Sequence, residues 1–256
     1  MVLFRKKIRF IHIGKCGGSY INEVLGKELT KIHMKKPDIN NRSYKYIIFI
    51  RNPLQRFISA FNHSKSLIEF DTIGYKYNDL YNDSSTPYYK LKQKIKSKLE
   101  IGHPFNEWGS GVDYINLIAK FNSANSLAEG LSSKNKDLKK SAQLIMNNEE
   151  VEHICKGIGW YLHNGEFIDV NFRNILFVGA LENIKKDIKD LSILLETQPN
   201  LKSYQRENKA SYDKTLSELA IKNLLKFYES TDYKALKKLN HYGLINNELL
   251  RSYHCL

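Results

Sequence analysis

The chain has 256 residues, of which 42% are hydrophobic, so it is long and apolar enough to form one sizeable folded domain. Forty Lys and Arg residues against 27 Asp and Glu residues give a net charge of +13, and we therefore expect anionic ligands or partners. The sequence shows no zinc-finger spacing, RNA-recognition signature or leucine-zipper repeat, which argues against nucleic acid as the partner.

Membrane insertion and disulfide bonding are also disfavoured by the sequence. No stretch of about 20 apolar residues and no secretory signal segment is present. Three widely spaced cysteines, Cys16, Cys155 and Cys255, favour reduced thiols over a disulfide framework. We expect a soluble, cytoplasmic protein; its oligomeric state has no signature in the sequence.

The first predicted element is an apolar strand, Ile8 to Ile13, which ends in a glycine-rich turn. The turn, Gly14-Lys-Cys-Gly-Gly-Ser19, leads into a predicted helix. Glycines allow backbone N–H groups to approach a ligand closely, and a helix N-terminus favours negative charge. Lys15 and Ser19 add a positive charge and a hydroxyl. The pattern predicts a phosphate-binding loop.

The order of residues in this loop excludes three common phosphate-binding motifs. A Walker A loop places its lysine after the glycines, whereas Lys15 precedes Gly17 and Gly18. The glycine spacing does not fit the dinucleotide-binding fingerprint. A cysteine phosphatase needs an arginine at the position of Asn22, so Cys16 is not predicted to be a nucleophile.

The next predicted strands are Thr30 to Lys35, beside the first strand, and residues 44–50. Arg51 follows the latter directly, at the strand end where open α/β sheets bind their ligands. Asn52 is suited to cap a helix that begins at Pro53. The apolar face of this helix is predicted to comprise Leu54, Phe57, Ile58 and Phe61.

The remainder of the chain is predicted to be largely helical. Residues 66–86 form a polar excursion, and the basic stretch Lys90 to Lys98 indicates an amphipathic helix. Trp160 and Tyr161 favour core packing over stacking on sugars. Further helices are expected over 111–130, over 136–150 and from Glu182 onward. Another helix is expected to bury an apolar stripe of Leu216, Leu219, Ala220, Leu224 and Phe227. A late core strand is expected over 174–178.

The two loop motifs together resemble those of sulfotransferases that use 3′-phosphoadenosine 5′-phosphosulfate (PAPS). The resemblance is to the carbohydrate sulfotransferase branch that includes heparan sulfate 2-O-sulfotransferases and bacterial or viral relatives. Its first signature, roughly F-I-H-I-P-K-T-G-G-T-S, is similar to Phe10-Ile-His-Ile-Gly-Lys-Cys-Gly-Gly-Ser-Tyr20. Its second, R-[DN]-P followed by R-L-x-S, is similar to Arg51-Asn-Pro-Leu-Gln-Arg-Phe-Ile-Ser59. A weaker similarity covers residues 175–183.

Three residues depart from the first signature. Gly14 stands in place of proline, Cys16 in place of threonine and Tyr20 in place of a small residue. The loss of threonine removes a hydroxyl donor but leaves the backbone N–H, and glycine makes the loop less rigid than proline would. We expect these departures to change the affinity for the donor rather than the function.

The resemblance implies a P-loop-NTPase-like three-layer α/β fold with a central parallel sheet and a largely helical second half. A single sulfotransferase domain would occupy residues 1–256. Donor-binding motifs would lie in 8–66, helical acceptor-side insertions in about 67–165, and a late core strand with C-terminal helices in 172–256.

The resemblance also implies which residues bind PAPS. The loop would surround the 5′-phosphate, and an arginine fork and a hydroxyl would hold the 3′-phosphate. A polar loop at 204–211 would close over the 3′ side. No metal is required, because the donor carries its own activated group. The implied donor-binding residues are Lys15, Cys16, Gly17, Gly18, Ser19, Tyr20, Arg51 and Ser59.

Two catalytic roles follow from the same resemblance. Lys15 would stabilise charge on the bridging oxygen as the sulfuryl group leaves. His33 is the first candidate for the general base, because it lies roughly where the 2-O-sulfotransferases place their catalytic histidine. His63 is the second candidate, followed by Glu23 or a carboxylate in the middle of the chain. His12 is expected to pack within the first strand.

We therefore expect in-line, metal-independent transfer of a sulfuryl group to a hydroxyl, on a carbohydrate. The acceptor class is not fixed by the sequence: an acidic glycan fits the charge, and lipids, peptides and phenols are alternatives. A kinase-like phosphotransferase would need a Mg²⁺-binding carboxylate after a strand and a lysine late in its loop, and neither is clear. A non-catalytic polyanion-binding module would explain the charge but not the two motifs.

Overall fold

A parallel β-sheet forms the centre of the part of the chain that the computed structural model describes, namely residues 7–25, 29–78, 114–149, 153–197 and 213–254. Side chains are described in these ranges except at 67–78 and 114–116. The strands are β1 (Ile8–Ile11), β2 (Thr30–Ile32), β3 (Lys45–Ile50) and β4 (Ile175–Ala180). Their order in the sheet is β2-β1-β3-β4, and all neighbours are parallel.

Helices connect the strands and make up most of the second half of the chain. A five-residue π-helical turn, Glu229–Tyr233, joins two of them. The helices are α1 (Gly18–Leu25), α2 (Pro53–Asn78), α3 (Tyr114–Ala119), α4 (Ala124–Gly130), α5 (Lys136–Asn147), α6 (Ile158–Tyr161), α7 (Glu166–Asn171), α8 (Ile184–Leu194), α9 (Glu218–Tyr228), α10 (Lys234–His241) and α11 (Asn247–Ser252).

Both faces of the sheet are covered, as is usual for parallel sheets. Ile47 and Phe49 of β3 pack on one side with apolar residues of α1 and α8. Tyr46, Ile48 and Ile50 alternate with them and pack on the other side with α2 and the helices of the second half. The predicted three-layer α/β fold, with a central parallel sheet and a largely helical second half, is confirmed.

The sheet order determines where the two sequence motifs lie. β1 and β3 are neighbours, with Ile11 paired to Ile48, so their carboxyl ends meet at the same edge of the sheet. The glycine turn follows β1, and Arg51 follows β3. β2 pairs with β1 on its other side, as predicted for the strand at Thr30, and brings His33 to the same edge.

Several predictions differ from the structure. The strands expected over Ile8 to Ile13 and Thr30 to Lys35 end earlier, at Ile11 and Ile32. The helix expected over 111–130 is divided into α3 and α4, because Ser123 caps α4 in a reciprocal pair of hydrogen bonds with Ser126. The polar excursion expected from residue 66 begins as helix, since α2 continues to Asn78. Leu219 was predicted to be buried but is 49% exposed. The predicted elements at Lys90 to Lys98 and at 204–211 lie outside the described residues.

No helix in the described ranges combines the length and the apolar character needed to cross a bilayer.

Candidate functional site

The turn after β1 has a tightly curved backbone. Lys15 has φ 67° and Gly17 has φ 81°, so both lie in the left-handed region, which a non-glycine residue seldom adopts. The N–H of Cys16 donates to the carbonyl of Ile13 at 3.3 Å and closes the turn. This N–H was expected to face the phosphate, but here it stabilises the loop. Helix α1 then starts at Gly18, and the first N–H groups of a helix have no partner within the helix.

Two glycines of the loop are needed because histidine rings occupy the space of a side chain. A Cβ atom at Gly18 would lie 1.8 Å from the ring of His12. A Cβ atom at Gly14 would lie 2.4 Å from Nδ1 of His153. The second contact gives a physical reason for glycine at position 14, where the sulfotransferase signature has proline.

Arg51 connects the R-N-P motif to the loop. Its Nη1 donates to the carbonyl oxygen of Lys15 at 3.2 Å, so the guanidinium lies against the turn. The side chain is half-buried, and this burial lowers the pKa of Arg51, although an arginine remains charged in proteins. The carboxylate of Glu182 acts in the opposite direction. The two motifs therefore share one edge of the sheet and place a fixed positive charge there.

Hydrogen bonds to Glu182, after β4, and to Asn52 itself stabilise the junction between β3 and α2. The Asn52 side chain accepts from the Leu54 N–H at 2.9 Å, which confirms the predicted N-cap. The Asn52 N–H donates to Glu182, in the turn after β4, at 2.9 Å. The Tyr253 hydroxyl donates to the second oxygen of Glu182. Burial, and then the nearby carboxylate, raise the pKa of Tyr253, so its hydroxyl stays protonated.

The other predicted donor-binding side chains differ in their accessibility. Ser19 is exposed at the start of α1, and Tyr20 is half-buried beside it. The Cys16 side chain is 1% exposed, and burial raises the pKa of its thiol to about 12, so it is neither ionised nor directed at a ligand. Ser59 is half-buried on α2, and in the described part of the chain its hydroxyl makes no hydrogen bond to the loop.

Four histidines, His12, His33, His63 and His153, gather beside the loop, and we call them the histidine cluster. The His12 and His33 rings stack with their centres 4.2 Å apart, and His33 Nδ1 lies 3.3 Å from the His12 carbonyl oxygen. The His153 ring centre lies 5.4 Å from that of His63 and 6.2 Å from that of His33. His12 is buried, as expected, although it follows β1 rather than lying within it.

Burial keeps the imidazoles of His12, His33 and His153 neutral. It lowers the pKa of His12 to about 3 and that of His153 well below 6.5, and in both cases the nearby positive charge of Lys15 adds to the effect. Burial also lowers the pKa of His33, with a further contribution from Lys31. A neutral imidazole has a lone pair that can accept a proton, so a less deeply buried member of the cluster, such as His33, can act as a base at neutral pH.

The structure thus brings Lys15, Arg51 and the histidine cluster to one place. The cluster includes both histidines predicted as base candidates, whereas Glu23 is exposed on α1. The described residues contain no group of three or more His, Cys, Asp and Glu side chains placed to hold a metal ion.

Two residues beside the loop were given no role by the sequence reasoning. His153 comes from a segment about a hundred residues away, and no local pattern marks it. Arg56 is fully buried on α2 and donates to the carbonyl oxygens of His153 at 2.7 Å and Ile154 at 3.2 Å. Arg56 is the arginine of the R-L-x-S part of the second signature, and its place inside the apolar stretch of the helix, between Leu54 and Phe57, also indicated burial.

The comparison with family models agrees with this geometry. The model of the Sulfotransferase family matches residues 2–245, and the chain therefore belongs to that family. The fold described above is the P-loop-like α/β fold of sulfotransferases. Comparison with curated proteins and with solved structures gives no significant match.

Proposed function

We propose that this sulfotransferase moves a sulfuryl group from PAPS to a hydroxyl of a carbohydrate. The observation that carries the proposal is the hydrogen bond between Arg51 and the carbonyl of Lys15. It joins the two motifs at adjacent strand ends, which is the arrangement needed for one adenosine ligand with phosphates at both its 5′ and 3′ positions.

The donor-binding residues have complementary chemistry in this proposal. Lys15 and the first N–H groups of α1 offer positive charge and hydrogen-bond donors to the 5′-phosphate. Gly17 and Gly18 let the backbone approach it, and Ser19 and Tyr20 lie at the helix start. Arg51 and Ser59 bind the 3′-phosphate, which separates this donor from ATP.

The transfer step requires a base and a group that stabilises the leaving phosphate. The acceptor oxygen forms a bond to sulfur while the bond from sulfur to the bridging phosphate oxygen breaks. Lys15 offsets the negative charge that develops on that oxygen. His33 takes the hydroxyl proton. With its own proton on Nδ1, His33 donates to the His12 carbonyl and keeps the lone pair of Nε2 for the acceptor.

The surroundings of His33 support an acidic carbohydrate as the acceptor. The ammonium groups of Lys36 and Lys156 lie 5.1 and 5.2 Å from the centre of the half-buried Trp160 ring. Lys156 also acts electrostatically on His33, as does the exposed Lys31 at the sheet edge. Trp160 packs against the core, as expected, and the lysines around it form a positively charged surface that suits a sugar carrying carboxylate or sulfate groups.

Transfer of labelled sulfate tests the proposal. Incubation with sulfur-labelled PAPS and a panel of glycans, phenols and peptides should move label to a glycan hydroxyl. Lys15→Ala should reduce the rate by about a hundredfold or more, as loss of a transition-state charge partner does. Lys7→Ala, which removes an exposed lysine just before β1, is the matched control and should transfer normally. Transfer of the γ-phosphate of ATP instead of sulfate would contradict the proposal.

A further inference from the structure

We propose that His153 is a positioning residue that holds the phosphate-binding loop in shape by packing on Gly14, and that Arg56 fixes His153 in turn. The inference rests on the proposed function, because it assigns the contact to the loop that would bind the donor. His153 lies in neither loop motif, and Arg56, which lies in the second one, gains a role as its support.

The contact at position 14 is specific to His153. The three atoms nearest to a Cβ at Gly14 are all in the His153 ring, at 2.4, 3.1 and 3.3 Å. The backbone of Gly14 is not in the left-handed region, so an alanine could adopt its conformation. The imidazole is therefore the obstacle that keeps a side chain out of position 14.

The loop needs an external support because its own geometry is unfavourable. Lys15 adopts a left-handed conformation that costs conformational energy in a non-glycine residue. Glycines precede and follow the pair formed by Lys15 and Cys16. Arg51 holds the Lys15 carbonyl on one side of the turn. His153 covers the Gly14 side, so the two contacts together confine the lysine backbone.

Arg56 explains why His153 can act as a fixed support. The guanidinium is fully buried and donates to the carbonyl oxygens of His153 and Ile154 at 2.7 and 3.2 Å. Its Nε lies 3.8 Å from the carboxylate of Asp232, which also accepts from the Gly159 N–H at 2.8 Å. The backbone at His153 is therefore tied to α2 and to the π-helical turn, both of which lie in the packed core.

A double-mutant cycle tests the contact between the two positions. Gly14→Ala should weaken binding of adenosine 3′,5′-bisphosphate about tenfold in the parent protein, which is a typical coupling between touching residues. In a His153→Ala background the same change should have little effect, because the obstacle is gone. Gly18→Ala is the matched control: its Cβ would meet His12, so His153→Ala should not relieve it. Calorimetry measures binding, and urea unfolding verifies that each variant is folded.

The kinetic signature separates positioning from a purely structural role. His153→Ala should raise the KM for the donor about tenfold while kcat at saturating donor stays near the parent value. Should His153→Ala not fold, His153→Gln supplies the second background. Equal penalties of Gly14→Ala in both backgrounds, or a fall in kcat with unchanged KM, would overturn the role of His153. A parent protein that binds no bisphosphate would instead contradict the proposed function itself.

Discussion

Burial decides the chemical state of the side chains around the loop. The Cys16 thiol stays neutral because burial raises its pKa to about 12, so it acts as a small apolar residue. His12, His33 and His153 stay neutral because burial lowers their pKa values. Lys15 and Arg51 then supply positive charge where β1 and β3 end. This separation of charged and neutral groups is what transfer from an anionic donor to a hydroxyl requires.

The pH dependence of the rate should report His33. A general base must be deprotonated to accept a proton, and the pKa of His33 is lowered from its ordinary value of 6.5. The transfer rate should therefore stay constant as the pH falls through 6.5 and decrease only at more acidic pH. We expect His33→Ala to reduce kcat by about a hundredfold or more and to remove this acidic limb, with little change in donor affinity. Measurements of kcat/KM for the acceptor across pH, paired with bisphosphate calorimetry, give both quantities.

The control for this experiment is His241→Ala, because His241 is exposed on α10 and lies outside the histidine cluster. Its pH profile should match that of the parent protein. If turnover is unchanged in His33→Ala, His33 is not the base, and His63, which lies beside His153, becomes the next candidate.

At the scale of elements, α2 organises the site. Its N-cap, Asn52, binds Glu182 after β4, and its second turn carries Ser59. Arg56 on the same helix reaches the backbone at His153, and its buried pairing with Asp232 connects α2 to the π-helical turn after α9. One helix thus connects the edge of the sheet to the C-terminal helices.

The buried pair of Arg56 and Asp232 should contribute measurably to the free energy of unfolding. Removing one partner of a buried ion pair leaves an uncompensated charge, so Asp232→Ala should lower the free energy of unfolding by about 3–5 kcal/mol. The exposed pair Lys186 and Asp190, on α8 with 3.2 Å between its charged atoms, is the matched control. Asp190→Ala should have little effect, because exposed pairs contribute little. Urea unfolding measures both; a loss in Asp232→Ala no greater than that in Asp190→Ala would contradict the connection.

Elements with a strong local pattern could be predicted from the sequence. Strands β1 and β3, which are mostly buried, and the cap at Asn52 have such patterns. The apolar stripe of α8, in which Ile188 and Leu191 are fully buried, has one too. The break before α4 was missed because Ser126 occupies the place where a capping box usually has Glu or Gln. The exposure of Leu219 was missed because periodicity alone does not give the width of the face that packs.

At the scale of the whole molecule, the site depends on contacts that no local pattern contains. Lys15 and Arg51 could be predicted because each lies in a motif at the end of a strand. His153, Glu182 and Asp232 reach the same region through the sheet order and helix packing, about a hundred residues or more from the motifs. The division into donor-binding, acceptor-side and C-terminal segments stays a prediction.

The central claim is that the ends of β1 and β3 hold opposite phosphates of one adenosine ligand. Calorimetry with AMP, with adenosine 3′,5′-bisphosphate and with ATP·Mg²⁺ tests it most directly. The parent protein should prefer the bisphosphate. Arg51→Ala should weaken binding of the bisphosphate by roughly 10- to 100-fold, as loss of a charged hydrogen bond predicts. It should weaken AMP binding less, because AMP loses only the support that Arg51 gives to the Lys15 carbonyl. Arg42→Ala, which removes an exposed arginine before β3, should leave all three affinities unchanged. Equal weakening of AMP and the bisphosphate in Arg51→Ala, or parent binding of ATP as tight as that of the bisphosphate, would contradict the account.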